Sequence, residues 1–277
     1  MFDDCQIHHC EQRSDEWFKL RRGVLTASEF AEWLVELPKI RLTISAMKDV
    51  LDRAGISYPK GLLHDQLAQI LPDRKKYLTM TKGGEEAMRR TACKLLAQSA
   101  GCWEPPRFVT EAMRRGTELE PEAVECFEQE TGMKVEQVGF CRSLETKAGC
   151  SPDGLIMEIG EGFEGKVPLP EVHCQMIIDG WLPDEYKLQV HGSMAITGAE
   201  AWWFQSYCPG LPPFRIRVRR DEFTEEIVKG LERFDNLLEV TRKRLENRWD
   251  DWRNLRIALE IDLKNPDEYA PEQLPTV

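Results

Sequence analysis

The sequence predicts a mixed α/β fold, with a central mixed β-sheet flanked by helices and a small helical insertion. Two observations carry that prediction. Apolar residues recur at helical spacing through most of the first 132 residues and again over 222–248, whereas the middle of the chain breaks into short β-type runs separated by glycine and polar turns. The resulting order is helices, a meander of three strands, a helix, two strands and a long closing helix, which centres a sheet in one core. A chain of 277 residues suits a single domain with an insertion, since domains run to roughly 100–200 residues.

Residues 14–37 carry two short helical patterns, SDEWFKLRRG and TASEFAEWLVEL, the second opening on Thr26 and Ser28 as caps and closed by Pro38. Residues 42–53 and 61–71 read as two more helices, joined by AGISYPK with its turn residues. They form the core of an insertion spanning about 40–83, which resembles the small helix-extended loop-helix modules related to the SAP family, several of which bind DNA; a plain helical insertion is the alternative. Residues 84–101 are helical with Gly101 as the stop, and Arg107 to Gly132 is helical again, interrupted near Gly116 and Pro121. VEQVGFCR, GCSPDGLIMEIG and GFEGKV then read as strands. DEYKLQVHGSMAITG reads as a helix, AEAWWFQSYC and FRIRVR as strands, and 222–248 as an amphipathic helix before a loose tail at about 263–277.

Composition narrows the function. The chain is 42% apolar and 31% charged, and no apolar run approaches the roughly 20 residues of a membrane helix. The N-terminus lacks the basic and apolar regions of a signal peptide, so a cytoplasmic protein is expected. Nine cysteines without a C-x-x-C pair suit neither a disulfide framework nor a zinc or iron–sulfur cluster. The net charge of −11 opposes nucleic-acid binding unless the fold gathers basic clusters on one face. The candidates are Arg21-Arg22, Arg74-Lys75-Lys76, Arg89-Arg90, Arg114-Arg115 and Arg215 to Arg220, each of which taken singly reads as solvated surface.

The stretch from Ser151 to Lys166 carries chemistry. Asp153 stands on one predicted strand and Glu164-Gly165-Lys166 on the next. Phosphodiester hydrolysis calls for Mg²⁺, which takes hard oxygen ligands and usually one or two carboxylates. Strand alternation puts Glu164 and Lys166 on one face, where Lys166 can orient or deprotonate a water and offset phosphate charge. Gly165 points away and offers its carbonyl. As an isolated pattern this is matched by many exposed strands of alternating charge.

Agreement along the chain lifts it above that. Trp17, Leu20-Arg21, Gly23 and Thr26-Ala27-Ser28 form one block; Arg115-Gly116 with Glu120, Phe127, Thr131 and Gly132 a second; and Ser151-Pro152-Asp153-Gly154 a third. Glu164-Gly165-Lys166 and Tyr186 to Met194, the latter ahead of Trp202-Trp203-Phe204, complete them. In this order the blocks resemble the lambda-exonuclease group of PD-(D/E)XK (restriction-endonuclease-like) nucleases, the YqaJ-like viral recombinases. The resemblance implies that Asp153, Glu164 and the Gly165 carbonyl hold Mg²⁺, with Mn²⁺ as a substitute and two ions in all. It implies that Glu120 supports the second ion, Lys166 positions the nucleophile and Gln189 orders the site. Arg21, Ser28 and Ser151 would hold a 5′-phosphate, and Ser28, at a predicted helix start, would offer free N–H groups to the anion. Plainer readings exist: Arg21 in a surface pair with Asp15 or Glu16, Ser28 as an N-cap, Gln189 as a buried amide, and Trp202, Trp203 and Phe204 as core. His8, His9, His173 and His191 show no ligand spacing. Gly165, Arg22 and His191 depart from the pattern of the group.

The activity implied is a 5′-to-3′ exonuclease on double-stranded DNA ends, in a homotrimeric ring, working with a single-strand annealing protein in the cytoplasm of a bacterial host, the gene being of phage or prophage origin. An endonuclease on the same fold and a catalytically silent DNA-binding scaffold are the two rivals.

Overall fold

Of the three strands expected in the middle of the chain, the second breaks in two at Ser151-Pro152-Asp153, so that Asp153 lies in a loop rather than on a strand, and the strands divide between two sheets. The structure is a computed structural model that describes residues 2–32, 34–36, 44–53, 55–61, 67, 70, 78–80, 84–102 and 111–262. Its elements in order are β1 (Cys5–His8), α1 (Asp15–Arg21), β2 (Leu25–Thr26), a 3₁₀ turn (Ala27–Glu32), β3 (Leu34–Glu36) and α2 (Ile44–Arg53). Then come β4 (Leu78–Met80), α3 (Gly84–Ser99), α4 (Glu111–Thr131), β5 (Phe140–Ser143), β6 (Ala148–Cys150), β7 (Gly154–Ile156) and β8 (Glu161–Lys166). The chain continues through α5 (Pro170–Asp179), α6 (Asp184–Thr197), β9 (Ala201–Ser206), β10 (Phe214–Arg219) and α7 (Glu222–Asp262). The second helix of the expected insertion falls almost wholly outside the described residues, as do Arg74-Lys75-Lys76 and the tail from 263.

One sheet has the order β1-β5-β6-β2 and the other β10-β9-β8-β7; β3 and β4 pair separately. In the second sheet β8 and β9 run parallel, Glu164 opposite Phe204 and Lys166 opposite Ser206. A parallel pair needs a crossover, which α5 and α6 provide. Gly162 has a packing reason: a Cβ there would lie 2.3 Å from the ring of Trp202, which is fully buried against it. Trp202 and Phe204 are core residues with no exposure, while Trp203 packs edge-on to Phe127 and donates to Glu161 at 2.9 Å. The main core runs from Leu25, Cys141 and Ala148 through Val190 and Met194 of α6 to Ile227 and Phe234 of α7. Phe127, Ile156 and Phe163 form a second cluster under α4, and Met47, Leu51 and Leu67 a small third one around α2.

Two expectations are corrected. The helix read over TASEFAEWLVEL is a six-residue 3₁₀ turn followed by β3, because Leu34, Val35 and Glu36 pair with Met80, Thr79 and Leu78, more than forty residues away in sequence. The break expected near Gly116 and Pro121 is absent, and α4 is continuous from Glu111 to Thr131. Proline removes one backbone donor, and buried Ala123 and Phe127 fasten the following turns to the sheet, the Ala123 carbonyl accepting from Gln205 at 2.6 Å. Among the described residues no helix is long and apolar enough to cross a membrane.

Candidate active site

Asp153 follows β6 in the loop that leads into β7, and Glu164 and Lys166 end β8, so the hairpin of β7 and β8 brings the three side chains together at one end of the second sheet. The meeting is specified by hydrogen bonds. The amide of Gly165 donates to Oδ2 of Asp153 at 2.8 Å, tying the loop to the strand. A Cβ at position 165 would come within 3.2 Å of the Phe163 ring and 3.8 Å of the same Asp153 oxygen, a close fit. Glu164 is 1% exposed, and its Oε1 accepts from Lys166 Nζ and, at 2.6 Å, from Nε2 of Gln189 on α6. Lys166 also lies 5.4 Å from the ring centre of Tyr186.

The charges are mutually tuned. Burial, then the charge of Asp153, pushes Glu164 up to about 7 despite Lys166. Asp153 is raised by burial, against the pull of Lys166 and the Gly165 amide. Burial would lower Lys166, but Glu164 and Asp153 outweigh it and hold its pKa above the ordinary lysine value. Glu120, on α4, makes no direct bond to these groups but feels them: burial and then Asp153 raise it, while Arg13 and Lys166 oppose the rise.

The residues fit a hard divalent cation. Oε2 of Glu164 is buried with no hydrogen-bond partner, a situation that costs about 1–3 kcal/mol for a polar group and more for a charge. Among the described residues no group of three or more His, Cys, Asp or Glu side chains is assembled as a cage. Mg²⁺ does not need one, since it keeps several waters and binds through one or two carboxylates. Asp153, Glu164 and the Gly165 carbonyl can supply that set, with Glu120 lining the same cleft as Asp153.

Of the expected phosphate pocket, two members meet. Arg21 Nη1 donates to Ser151 Oγ at 3.0 Å, and Trp17 Nε1 donates to the same oxygen at 2.9 Å. The Arg21 guanidinium is 4.3 Å from the Trp17 ring centre, and burial lowers its pKa. This excludes the reading of Arg21 as a surface partner of Asp15 or Glu16. Ser28 is exposed and meets the hydroxyl of Thr26 at 3.2 Å rather than Arg21 or Ser151. Its helix start is a short 3₁₀ turn, so the dipole argument for an anion there loses its footing.

Several members of the basic clusters are paired with carboxylates of the protein itself, Arg90–Glu86 and Arg114–Glu118 as solvent-exposed pairs one helix turn apart. Arg215 bonds Gln205 and Glu130, Arg217 pairs with Glu161 and Arg220 with Glu225. His173 bridges Ser206 and the Pro212 carbonyl, and His191 bonds Thr224, so both are structural. The sequence reading quoted Trp17 in its first block without giving it a role, and missed Gln12 and Arg13. Gln12 donates to the carbonyls of Pro152 at 2.8 Å and Val138 at 3.1 Å, and Arg13 lines the cleft beside Asp153; the polar run Gln12-Arg13-Ser14 before α1 was their signal in the sequence.

Residues 16–200 match the YqaJ-like viral recombinase domain. The chain belongs to that family. It is similar to the alkaline exonuclease LHK-Exo from Laribacter hongkongensis, at 26% identity over 86% of this chain and 100% of that one, with a TM-score of 0.59. The structure of LHK-Exo in complex with dAMP aligns over 87% of this chain and 100% of that one, at 26% identity and a TM-score of 0.56. No curated protein matches the chain. Family and fold make this YqaJ-like protein an enzyme of the PD-(D/E)XK type, a DNA exonuclease.

Proposed function

We propose that the protein is a Mg²⁺-dependent 5′-to-3′ exonuclease that grips the 5′-phosphorylated strand of a duplex end and leaves a 3′ overhang for strand annealing. The observation that carries this reading is the loop Ser151-Pro152-Asp153. Ser151 is held by Arg21 and Trp17, and two residues on Asp153 is held by Gly165 beside Glu164 and Lys166. A phosphate-gripping hydroxyl is thereby fixed next to the hydrolytic carboxylates, the arrangement an end-recognising nuclease needs. The reported LHK-Exo complex with dAMP supports a site that accepts a deoxynucleoside monophosphate.

In this reading Asp153, Glu164 and the Gly165 carbonyl hold the ion, and Glu120 supports a second ion or its waters. Bound Mg²⁺ would supply Lewis-acid charge to the phosphate and acidify a water. Lys166 Nζ, anchored on Oε1 of Glu164, holds the attacking water in line and offsets charge on the phosphate. Gln189 fixes which oxygen of Glu164 stays open. Arg21 and Ser151 bind the terminal phosphate, with Ser28 as a more distant member. The chain is read as one nuclease domain with the 40–83 segment as an insertion, of which α2 and β4 are described. A homotrimeric ring and a single-strand annealing partner belong to the same proposal; native mass spectrometry showing only monomer would remove the ring.

The test is a digestion time course on linear duplex DNA with and without a 5′-phosphate, in Mg²⁺ and in EDTA, with Lys166→Ala alongside. Mg²⁺-dependent loss of the phosphorylated strand, abolished in the variant, is the expected result. Equal cutting of closed circular DNA would transfer the protein to the endonuclease reading, and binding without cleavage to the scaffold reading.

A further inference from the structure

Arg13 is the one non-glycine residue among those described with a left-handed backbone, at φ 70°. It occupies the third position of a turn closed by the Ser14 amide on the Glu11 carbonyl at 3.2 Å. A positive φ at that position ordinarily selects glycine, because a Cβ is disfavoured there. The turn is nailed in place by Gln12, whose amide donates to the carbonyl of Pro152, the residue between Ser151 and Asp153. A charged, exposed side chain is therefore held in a costly conformation directly over the loop that carries the site.

Its surroundings say what the guanidinium faces. The cleft has two pockets of about 600 and 450 Å³, and Arg13, Thr117, Glu120 and Asp153 line both. Arg13 thus stands at the divide, with Lys166 and Gly165 in the smaller pocket and Gln137 in the larger. Nη1 bonds the Thr117 hydroxyl, and among the described residues no carboxylate forms an ion pair with Arg13. The donors at Nε and Nη2 remain for an anion, and guanidinium geometry suits two oxygens of one phosphate. Arg215, Arg217 and Arg220 have been consumed by internal partners, whereas Arg13 has not.

We propose that Arg13 is a substrate-binding residue that grips a backbone phosphate of the DNA strand where it crosses from one pocket to the other, separate from the Arg21–Ser151 grip on the strand's end. This rests on the exonuclease reading above. It would give an acidic protein a positive contact inside the cleft, and would set how the strand advances after each cut.

The experiment is fluorescence anisotropy of a short 5′-phosphorylated duplex in EDTA over a range of NaCl concentrations, for wild type, Arg13→Gly and Arg13→Lys, with thermal melts of each. Glycine relieves the backbone while removing the charge, so Arg13→Gly should melt at or above wild type yet bind about tenfold more weakly. Its slope of log affinity against log salt should be shallower by about 1, and Arg13→Lys should recover the slope. Arg13→Gly with wild-type affinity and slope, or one that loses affinity only because it melts early, overturns the proposal. If wild type digests duplex DNA and Arg13→Gly binds normally, only this inference falls; if wild type neither binds nor digests duplex DNA, the exonuclease reading falls and takes this one with it.

Discussion

Gln189 donates to Oε1 of Glu164 at 2.6 Å, and Oε2 of the same carboxylate is buried without a partner. One oxygen is thus committed to the protein and the other kept open. Gln189→Ala should leave Lys166 as the one remaining partner of Oε1 and loosen the carboxylate, lowering Mg²⁺ affinity or kcat by about 10- to 100-fold, the usual cost of losing a group that orients a ligand. Gln189→Glu should be worse, because a second carboxylate would face Glu164. Mg²⁺ titrations of initial rate separate the cases, and an unchanged half-saturation and kcat in Gln189→Ala would count against the orienting role.

The pKa of Glu164 gives a second prediction. Burial, then Asp153, raises it from 4.5 to about 7, so the folded state favours the proton. The associated stability is complete below pH 4.5 and is lost as pH rises through 7, where an ionised buried pair must be tolerated. A divalent cation offsets that charge, so Mg²⁺ should bind more tightly with rising pH, on the order of tenfold per pH unit below 7. The rise in melting temperature on adding Mg²⁺ should grow from pH 6 to pH 8 and vanish in Asp153→Asn. An equal rise at both pH values would mean that no proton is displaced.

Ser151 tests end recognition separately from hydrolysis. Ser151→Ala removes the oxygen shared by Arg21 and Trp17, while Trp17 keeps its 3.0 Å bond to the Gly139 carbonyl. Folding should change by less than about 1 kcal/mol. The rate on 5′-phosphorylated ends should fall about tenfold or more, toward that on 5′-hydroxyl ends, which should hardly change. A uniform loss on both ends would place Ser151 in the hydrolytic step instead.

The legible parts of the protein were those written in local pattern. Strand alternation alone put Glu164 and Lys166 on one face, and DEYKLQVHGSMAITG was legible as the helix that carries Gln189. What escaped was set by distant partners. The pairing of Leu34 with Met80 turned an expected helix into a strand, and Glu130, Glu161 and Glu225 took up Arg215, Arg217 and Arg220. The division of the strands between two sheets depends on β2 joining β6 from more than a hundred residues upstream. Arg13 escaped for a related reason: the polar run around it marks no role, and its importance lies in a backbone angle and in Gln12 reaching Pro152.

Glu29 closes the N-terminal block onto the fold and predicts how it fails in acid. Its Oε2 accepts from the amide of Thr26 at 3.0 Å and its hydroxyl at 2.8 Å, and its Oε1 pairs with Lys94 of α3 at 2.7 Å. Burial alone would raise its pKa, but Lys94 and Thr26 outweigh it and hold Glu29 below the ordinary glutamate value. A depressed carboxylate contributes stability above its unfolded pKa and loses it as pH falls through the folded one. Lys94 is 44% exposed, so the ion pair is screened and most of the effect belongs to the Thr26 bonds. Glu29→Gln should therefore cost about 1 kcal/mol at pH 7, about 2–4 °C in melting temperature. The gap to wild type should close once the pH is low enough to protonate Glu29 in the folded protein. Melts of both proteins from pH 7 down to pH 3 check this; a gap that persists undiminished at the acid end would mean that the Thr26 and Lys94 contacts do not depend on the charge of Glu29.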